Sequence, residues 1–291
     1  MTKRNIIFQY MLINEDTEKR GKVAGYTGTR SELYKRTASL SIKSFASYAK
    51  RIGVRHHYST KAWLTKDKKD MGSGLLPFFE VLRIIYDPMY DDFDDLLFVD
   101  TDVIANTRED IFKHADIKGV QVAGVFENDI ATANGGGYNS WDFHSDQLKK
   151  VSDKYARSDI PVTPNKWSLK ALRHPEHGII PSALTVMNTG VMVWTKEARL
   201  HAREVFDDWH AYMVDGEKHK EPLWLNNDQF FISGQFVKHG FGMKPLHQTW
   251  NDTPTHWQDE RGYRNKFLHY TGGYNKQAML SDHKEKKFKY I

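Results

Sequence analysis

The sequence predicts an α/β protein in which a mainly parallel central sheet is covered by helices on both faces. Two observations predict it. Across the first 126 residues, short apolar runs alternate with stretches of helical period. Beyond them no repeat, low-complexity tract or Pro/Ser-rich linker marks a boundary, and 291 residues with 40% hydrophobic content support a sizeable core. One continuous domain, 1–291, is therefore expected.

The elements follow in order. Ile6 to Ile13 is β-rich and close to the N-terminus, as a first buried strand would be. A polar, Gly-containing loop leads to a helix from Ser31, where Ala38, Ile42, Phe45, Ala49 and Ile52 step by four and three until Gly53 stops it. VRHHYST reads as a second strand. PFFEVLRIIYDP is a helix bracketed by Pro77 and Pro88, and it carries Arg83. Leu96 to Val99 is the next strand, Thr107 is placed to cap a short helix, and Val120 to Phe126 is a further strand.

Residues 127–185 form a long excursion with GGG, scattered Pro, Asn, His and Trp, and helical character only around Gln147 to Ala156. Regularity returns with ALTVMNTGVMVW, then a helix carrying Ala198, Ala202, Val205, Trp209 and Tyr212 on one side. A helix from about Asp228 to His239 and the strand FLHYT complete the pattern.

Composition narrows the chemistry. With no cysteine, disulfides, thiolate zinc, iron–sulfur clusters and a cysteine nucleophile are excluded, so any metal binds through O and N. The net charge of +5 suits anionic ligands but is no nucleic-acid signature. No apolar stretch approaches the ~20 residues of a membrane span, the N-terminal run has no cleavage site, and a cytoplasmic location is expected. The basic tail with Lys284, Lys286, Lys287 and Lys289 is read as a solvated terminus, or as a weak peripheral contact with an anionic membrane or polyanionic acceptor.

The stretch DDLLFVDTDVIANTRED places Asp100 and Asp102 at the end of what reads as the most buried strand. Two unpartnered carboxylates there would each cost several kcal/mol in lost hydration, so either the strand end is wet or something positive sits between them. Residues two apart in an extended strand point the same way. Hard oxygen ligands suit Mg²⁺ or Mn²⁺, and an added imidazole favours Mn²⁺. The alternative is that the acids cap the following turn or pair with surface cations. A late His269 in an apolar strand before Gly272 and Gly273 favours the metal.

Several blocks in order carry a resemblance. LSIKSF resembles V-S-I-x-S-L, YDDFDDLLFVDTDVI resembles Y-D-K-V-L-Y-L-D-x-D-I-I, MNTGVMVW resembles F-N-S-G-V-M-L-I, NNDQFFI resembles D-Q-x-x-L, and FLHYTGGYNK resembles H-x-x-G-x-x-K. These are blocks of the GT-A nucleotide-sugar transferases, and most of all of the retaining family 8 that contains glycogenin and bacterial lipopolysaccharide galactosyltransferases.

The resemblance implies a Rossmann-like, mixed but mainly parallel sheet with a nucleotide-binding half (1–126), an acceptor-side insertion (127–185) and an acceptor and metal-completing half (186–291). It implies Asp100, Asp102 and His269 as ligands of Mn²⁺ (or Mg²⁺). Arg83 and Thr101 would contact the donor, Asn188 and Gly190 would line its sugar, and Gly272 and Lys276 would meet its diphosphate. Asp228 would bind sugar hydroxyls, with Gln229 beneath the anomeric carbon. The implied reaction moves a hexose from a nucleotide diphosphate sugar, UDP-sugar favoured, to a carbohydrate, glycolipid or protein acceptor, with retention. If Asp228 acted as a base on the opposite face, the product would be inverted.

This chain departs from the family after its first strand, where FQYMLINEDTEKRGKVAGYTGTR lacks a D-x-x-Y segment, so base recognition is unassigned. Lys276 also stands one position further from the histidine than the family pattern. Two rivals are a non-catalytic sugar- or nucleotide-binding module and a haloacid-dehalogenase phosphatase. The second is disfavoured because Val103 and Ile104, not Gly-Thr, follow the second acid, and no Gly-Asp dipeptide exists.

Overall fold

Six strands form the central sheet in the order β2, β1, β3, β6, β5, β7. They are β1 (Asn5–Tyr10), β2 (Arg55–Ser59), β3 (Asp95–Val99), β5 (Val122–Phe126), β6 (Met187–Thr195) and β7 (Met243–Pro245). A second sheet pairs β4 (Val103–Ala105) with β8 (Phe267–His269). The structure, a computed structural model, describes residues 3–13, 23, 26–68, 74–115, 117, 121–126, 187–218, 226–252 and 265–291. The excursion, its expected helix and its Gly-rich loop lie outside the described residues.

β1 pairs in parallel with β2 and β3, and β5 with β7, while β6 runs antiparallel between β3 and β5. The sheet is thus mixed and mainly parallel. The first 126 residues do not pair among themselves throughout, because a strand from much later in the chain separates β3 from β5.

Both faces are covered, which is why the strands read as unbroken apolar runs. On one face Phe8, Leu96, Phe98, Met192 and Trp194 join one core. On the other, Ile7, Leu97, Val99, Val191 and Val193 join a second. The second core includes residues of α1 (Arg30–Ile52), which starts in a capping box of Thr29 and Glu32 and ends at Gly53 with φ 73°, a left-handed value that favours glycine. Its buried face also carries Thr37, Ser41 and Ser44, polar residues that an apolar stripe does not predict.

Three local expectations change. PFFEVLRIIYDP begins as a 3₁₀ segment, Leu76–Leu82, and becomes α-helical only over α2 (Arg83–Tyr86). The short helix α3 (Ile111–Ala115) is capped by Asp110, whose Oδ1 accepts from Phe112 N at 3.0 Å, and Thr107 instead accepts from Glu109 N. The helix expected across Ala198 to Tyr212 is two, α4 (Lys196–Val205) and α5 (Trp209–Lys218). Phe206 turns extended, and Asp208 Oδ1 caps the new helix by accepting from His210 N and Ala211 N.

Two helices bring late residues to the sheet, α6 (Asp228–Lys238) and α7 (Gly272–Lys284). The basic tail beyond α7 folds back on the small sheet. Phe288 is buried with Tyr270 and Leu268, and Lys289 N donates to Asn106 Oδ1 at 2.7 Å. Lys287 pairs with Asp282 and Glu285, while Lys284, Lys286 and Lys289 stay exposed.

Candidate active site

Asp100 follows the last residue of β3, and the chain turns at once into β4, with Val103 N donating back to Asp100 O at 3.3 Å. β8 runs antiparallel to β4 with His269 opposite Val103, so the histidine lands beside the turn. Tyr270 N donates to Asp102 O at 2.9 Å and His269 N to Asp252 O at 2.7 Å, fixing that register. Pairing across the small sheet therefore joins residues far apart in sequence.

The three side chains converge. His269 Nε2 lies 3.2 Å from Asp102 Oδ1 and 3.8 Å from Asp100 Oδ2. One ligand atom from each of the three lies within 4.8 Å of the others. Lys276, one turn into α7, makes a close ion pair with Asp102 Oδ2 and stands 5.1 Å over the Tyr34 ring.

The donor set fits a divalent cation. Asp102 Oδ1 is buried and faces His269 Nε2 at 3.2 Å without a well-aligned hydrogen bond, so an acceptor lone pair is aimed into the group. Two carboxylates and one imidazole offer oxygen and nitrogen ligands to such an ion. Burial and then the neighbouring Asp102 push the Asp100 carboxyl up. Burial also acts upward on Asp102, but the Lys276 ammonium and His269 outweigh it and hold Asp102 well below the usual range. For His269, burial acts downward and the Asp102 charge reverses it, so the imidazole is raised.

A polar brace holds the turn from behind. Gln9, fully buried in β1, donates through Nε2 to Ser41 Oγ at 2.9 Å and to Asp100 O at 3.2 Å. His56 Nε2 meets Gln9 Oε1 at 3.0 Å, and Asp100 N donates to Gly190 O at 2.9 Å. Nothing in the sequence signals this role for Gln9 beyond its being polar inside an apolar run. The same holds for Asn251, fully buried, whose Oδ1 lies 2.8 Å from His269 Nδ1.

Asp228 opens α6 and is buried. Its carboxyl is pushed up to about 7, first by burial and second by the charge of Asp100, while Thr189 and the N–H groups of Asp228 and Gln229 act the other way. Asp100, Asp102, Thr101 and Lys276 line an open cleft of about 200 Å³ with Tyr34 of α1 and Phe78.

Asn188 and Gly190 lie behind His269. Asn188 Oδ1 accepts from Gly190 N at 2.9 Å and from Asn251 Nδ2 at 2.8 Å. Gly190 makes room for the ring, since a Cβ there would lie 2.8 Å from His269 Nδ1. Arg83 stands apart and does not line the cleft. Its guanidinium is buried, paired with Asp87 at 2.8 Å and hydrogen-bonded to Ser59 Oγ at 3.0 Å. Glu80, the other nearby acid, accepts instead from the backbone of Trp63, Leu64 and Thr65. Gly272 is the first residue of α7.

No protein-family model matches the chain, and no curated protein matches its sequence. Among solved structures it is similar to a glycosyltransferase involved in glycosylation of the major capsid of PBCV-1, at 13% identity over 96% of this chain and 99% of that one, with a TM-score of 0.47. It is also similar to mouse xyloside xylosyltransferase 1, at 13% identity over 91% and 97%, with a TM-score of 0.46. The galactosyltransferase LgtC, in complex with donor and acceptor sugar analogs, is similar at 12% identity over 95% and 94%, with a TM-score of 0.43. These are distant likenesses in fold and say nothing of donor, metal or acceptor. Among the described residues no helix is long and apolar enough to cross a membrane.

Proposed function

We propose that this protein is a metal-dependent glycosyltransferase that moves a hexose from a nucleotide diphosphate sugar to a carbohydrate-containing acceptor. The observation that carries the reading is the convergence of Asp100, Asp102 and His269 on one group at the edge of an open cleft, with a buried carboxylate oxygen of Asp102 facing the imidazole. A divalent cation held by these three residues supplies Lewis-acid charge for the leaving diphosphate, an effect worth several kcal/mol of barrier.

The chain's own residues are assigned around it. Lys276 neutralises diphosphate charge from the Asp102 side, and Gly272 at the start of α7 lets backbone N–H groups approach the same phosphates. Thr101 contacts the donor from the turn. Tyr34 and the half-exposed Phe78 offer aromatic faces for the nucleoside, the part of recognition the sequence leaves unassigned. Asp228 orients sugar hydroxyls, and Gln229 faces the developing charge at the anomeric carbon. Retention follows if the acceptor enters on the leaving-group face, where the departing phosphate takes its proton. UDP is the favoured nucleotide and Mn²⁺ the favoured ion. Water competes with the acceptor, so closure of the cleft is part of the chemistry.

The test is a thermal-shift panel of UDP-, GDP-, TDP- and CMP-sugars with and without Mn²⁺, followed by donor turnover. A ligand at a hundredfold excess over its dissociation constant raises stability by roughly 2.7 kcal/mol. The expected outcome is an Mn²⁺-dependent shift with one nucleotide and slow donor hydrolysis that Asp102→Ala abolishes. Nucleotide-sugar binding without turnover, acceptors included, identifies a binding module instead, and absence of both binding and turnover in the folded protein overturns the proposal.

A further inference from the structure

The proton arrangement of His269 is set by a backbone group two residues removed in a hydrogen-bond chain. Gly190 N–H is a donor and nothing else, and at 2.9 Å from the Asn188 side chain it identifies the atom facing it as Oδ1. That oxygen can only accept, so the Asn251 atom 2.8 Å from it is Nδ2. The other end of the Asn251 amide is then Oδ1, again acceptor only, and it faces His269 Nδ1 at 2.8 Å. His269 Nδ1 must therefore carry a proton, and Nε2 is the nitrogen left to face Asp100 and Asp102.

We propose that Asn251 and Asn188 are positioning residues, a two-amide relay that holds the proton on His269 Nδ1 and turns the Nε2 lone pair toward the acids as a metal ligand. The relay rests on the metal reading of the site, and its own prediction is a tautomer. It is buried throughout, with Asn251 at 0% exposure, His269 at 4% and Asn188 at 8%. Without it, the proton on a neutral ring would move to Nε2, where Asp102 Oδ1 waits at 3.2 Å, and the ligand lone pair would point away from the site. Asn188 thus serves the histidine with its oxygen.

Two measurements test this. In metal-free protein with ¹⁵N-labelled histidine, long-range ¹H–¹⁵N correlation at a pH where the ring is neutral, assigned with His269→Gln as control, is expected to show the Nδ1–H tautomer. Asn251→Leu is expected to shift it to Nε2–H. An Nε2–H tautomer in the unmodified protein overturns the relay. In Mn²⁺ titrations followed by electron paramagnetic resonance, Asn251→Leu is expected to weaken binding by ~10–100-fold, as loss of such outer partners does. Asn251→Asp, which still accepts from Nδ1–H but loses the N–H given to Asn188 Oδ1, is expected to lose less than Asn251→Leu. Equal losses in both variants, or none in Asn251→Leu, overturn the relay. If the unmodified protein binds no Mn²⁺, the metal reading fails, and the tautomer measurement still decides the proton arrangement.

Discussion

Gly190 lies against the His269 ring so closely that a methyl group would stand 2.8 Å from Nδ1 and 3.0 Å from Asn188 Oδ1. Neither neighbour is free to move, because both belong to the buried chain that runs through Asn251. Gly190→Ala is therefore expected to displace the imidazole and weaken Mn²⁺ binding by ~10–100-fold. Far-ultraviolet circular dichroism should be unchanged, and calorimetric titration reads the metal affinity. An unchanged affinity would show that the ring position is not set here.

Gln9 links β1, α1 and the carbonyl of Asp100, a three-way brace through one buried amide. Gln9→Leu removes one donor from that carbonyl, which keeps Val103 N, and leaves the Ser41 and His56 side chains without the amide they meet, at a cost of about 1–3 kcal/mol by urea unfolding. It also loosens the turn that aims both carboxylates. Metal affinity is expected to fall ~10-fold, and Gln9→Glu should not restore it, because a carboxylate donates nothing to Asp100 O.

Arg83 pairs with Asp87, reaches the edge strand β2 through Ser59 Oγ and does not border the cleft. Arg83→Met would leave Asp87, 5% exposed, without its cation. The expected result is a loss of about 3 kcal/mol in stability with nucleotide affinity changed less than about threefold. A large loss of nucleotide affinity in a variant of normal stability would support the donor-contact role that the resemblance implies.

Asp228 is a buried acid held up to about 7 against an ordinary 3.8, burial first and Asp100 second. The folded state binds the proton more tightly than the unfolded chain, so folding is favoured fully below 3.8 and the advantage is lost as pH rises through 7. Asp228→Asn should therefore stabilise the protein in chelator at pH 8, by about 4 kcal/mol, and by less at pH 5. Turnover should fall sharply. A variant no more stable at pH 8 than at pH 5, relative to the parent, would show that the carboxyl is not strained as described.

The sequence by itself determined that apolar strands build the sheet and that an acid pair follows one of them. Apolar runs long enough to be covered on both faces specify a sheet, and an acid pair placed directly after one of them specifies a charged site at its edge, since both follow from local hydrophobic pattern and the cost of bare carboxylates. The distant His269 and Lys276 were legible as residue types in their blocks. What only the tertiary structure decided is which nitrogen of His269 meets the acids, and which buried amides hold it. Gln9, Asn188 and Asn251 are polar residues whose partners lie in other elements, and a local pattern carries no record of hydrogen bonds closed across a fold. The interposition of β6 and the pairing of Arg83 with Asp87 are also decisions of packing. They depend on which surfaces meet, and that is settled only when the whole chain is folded.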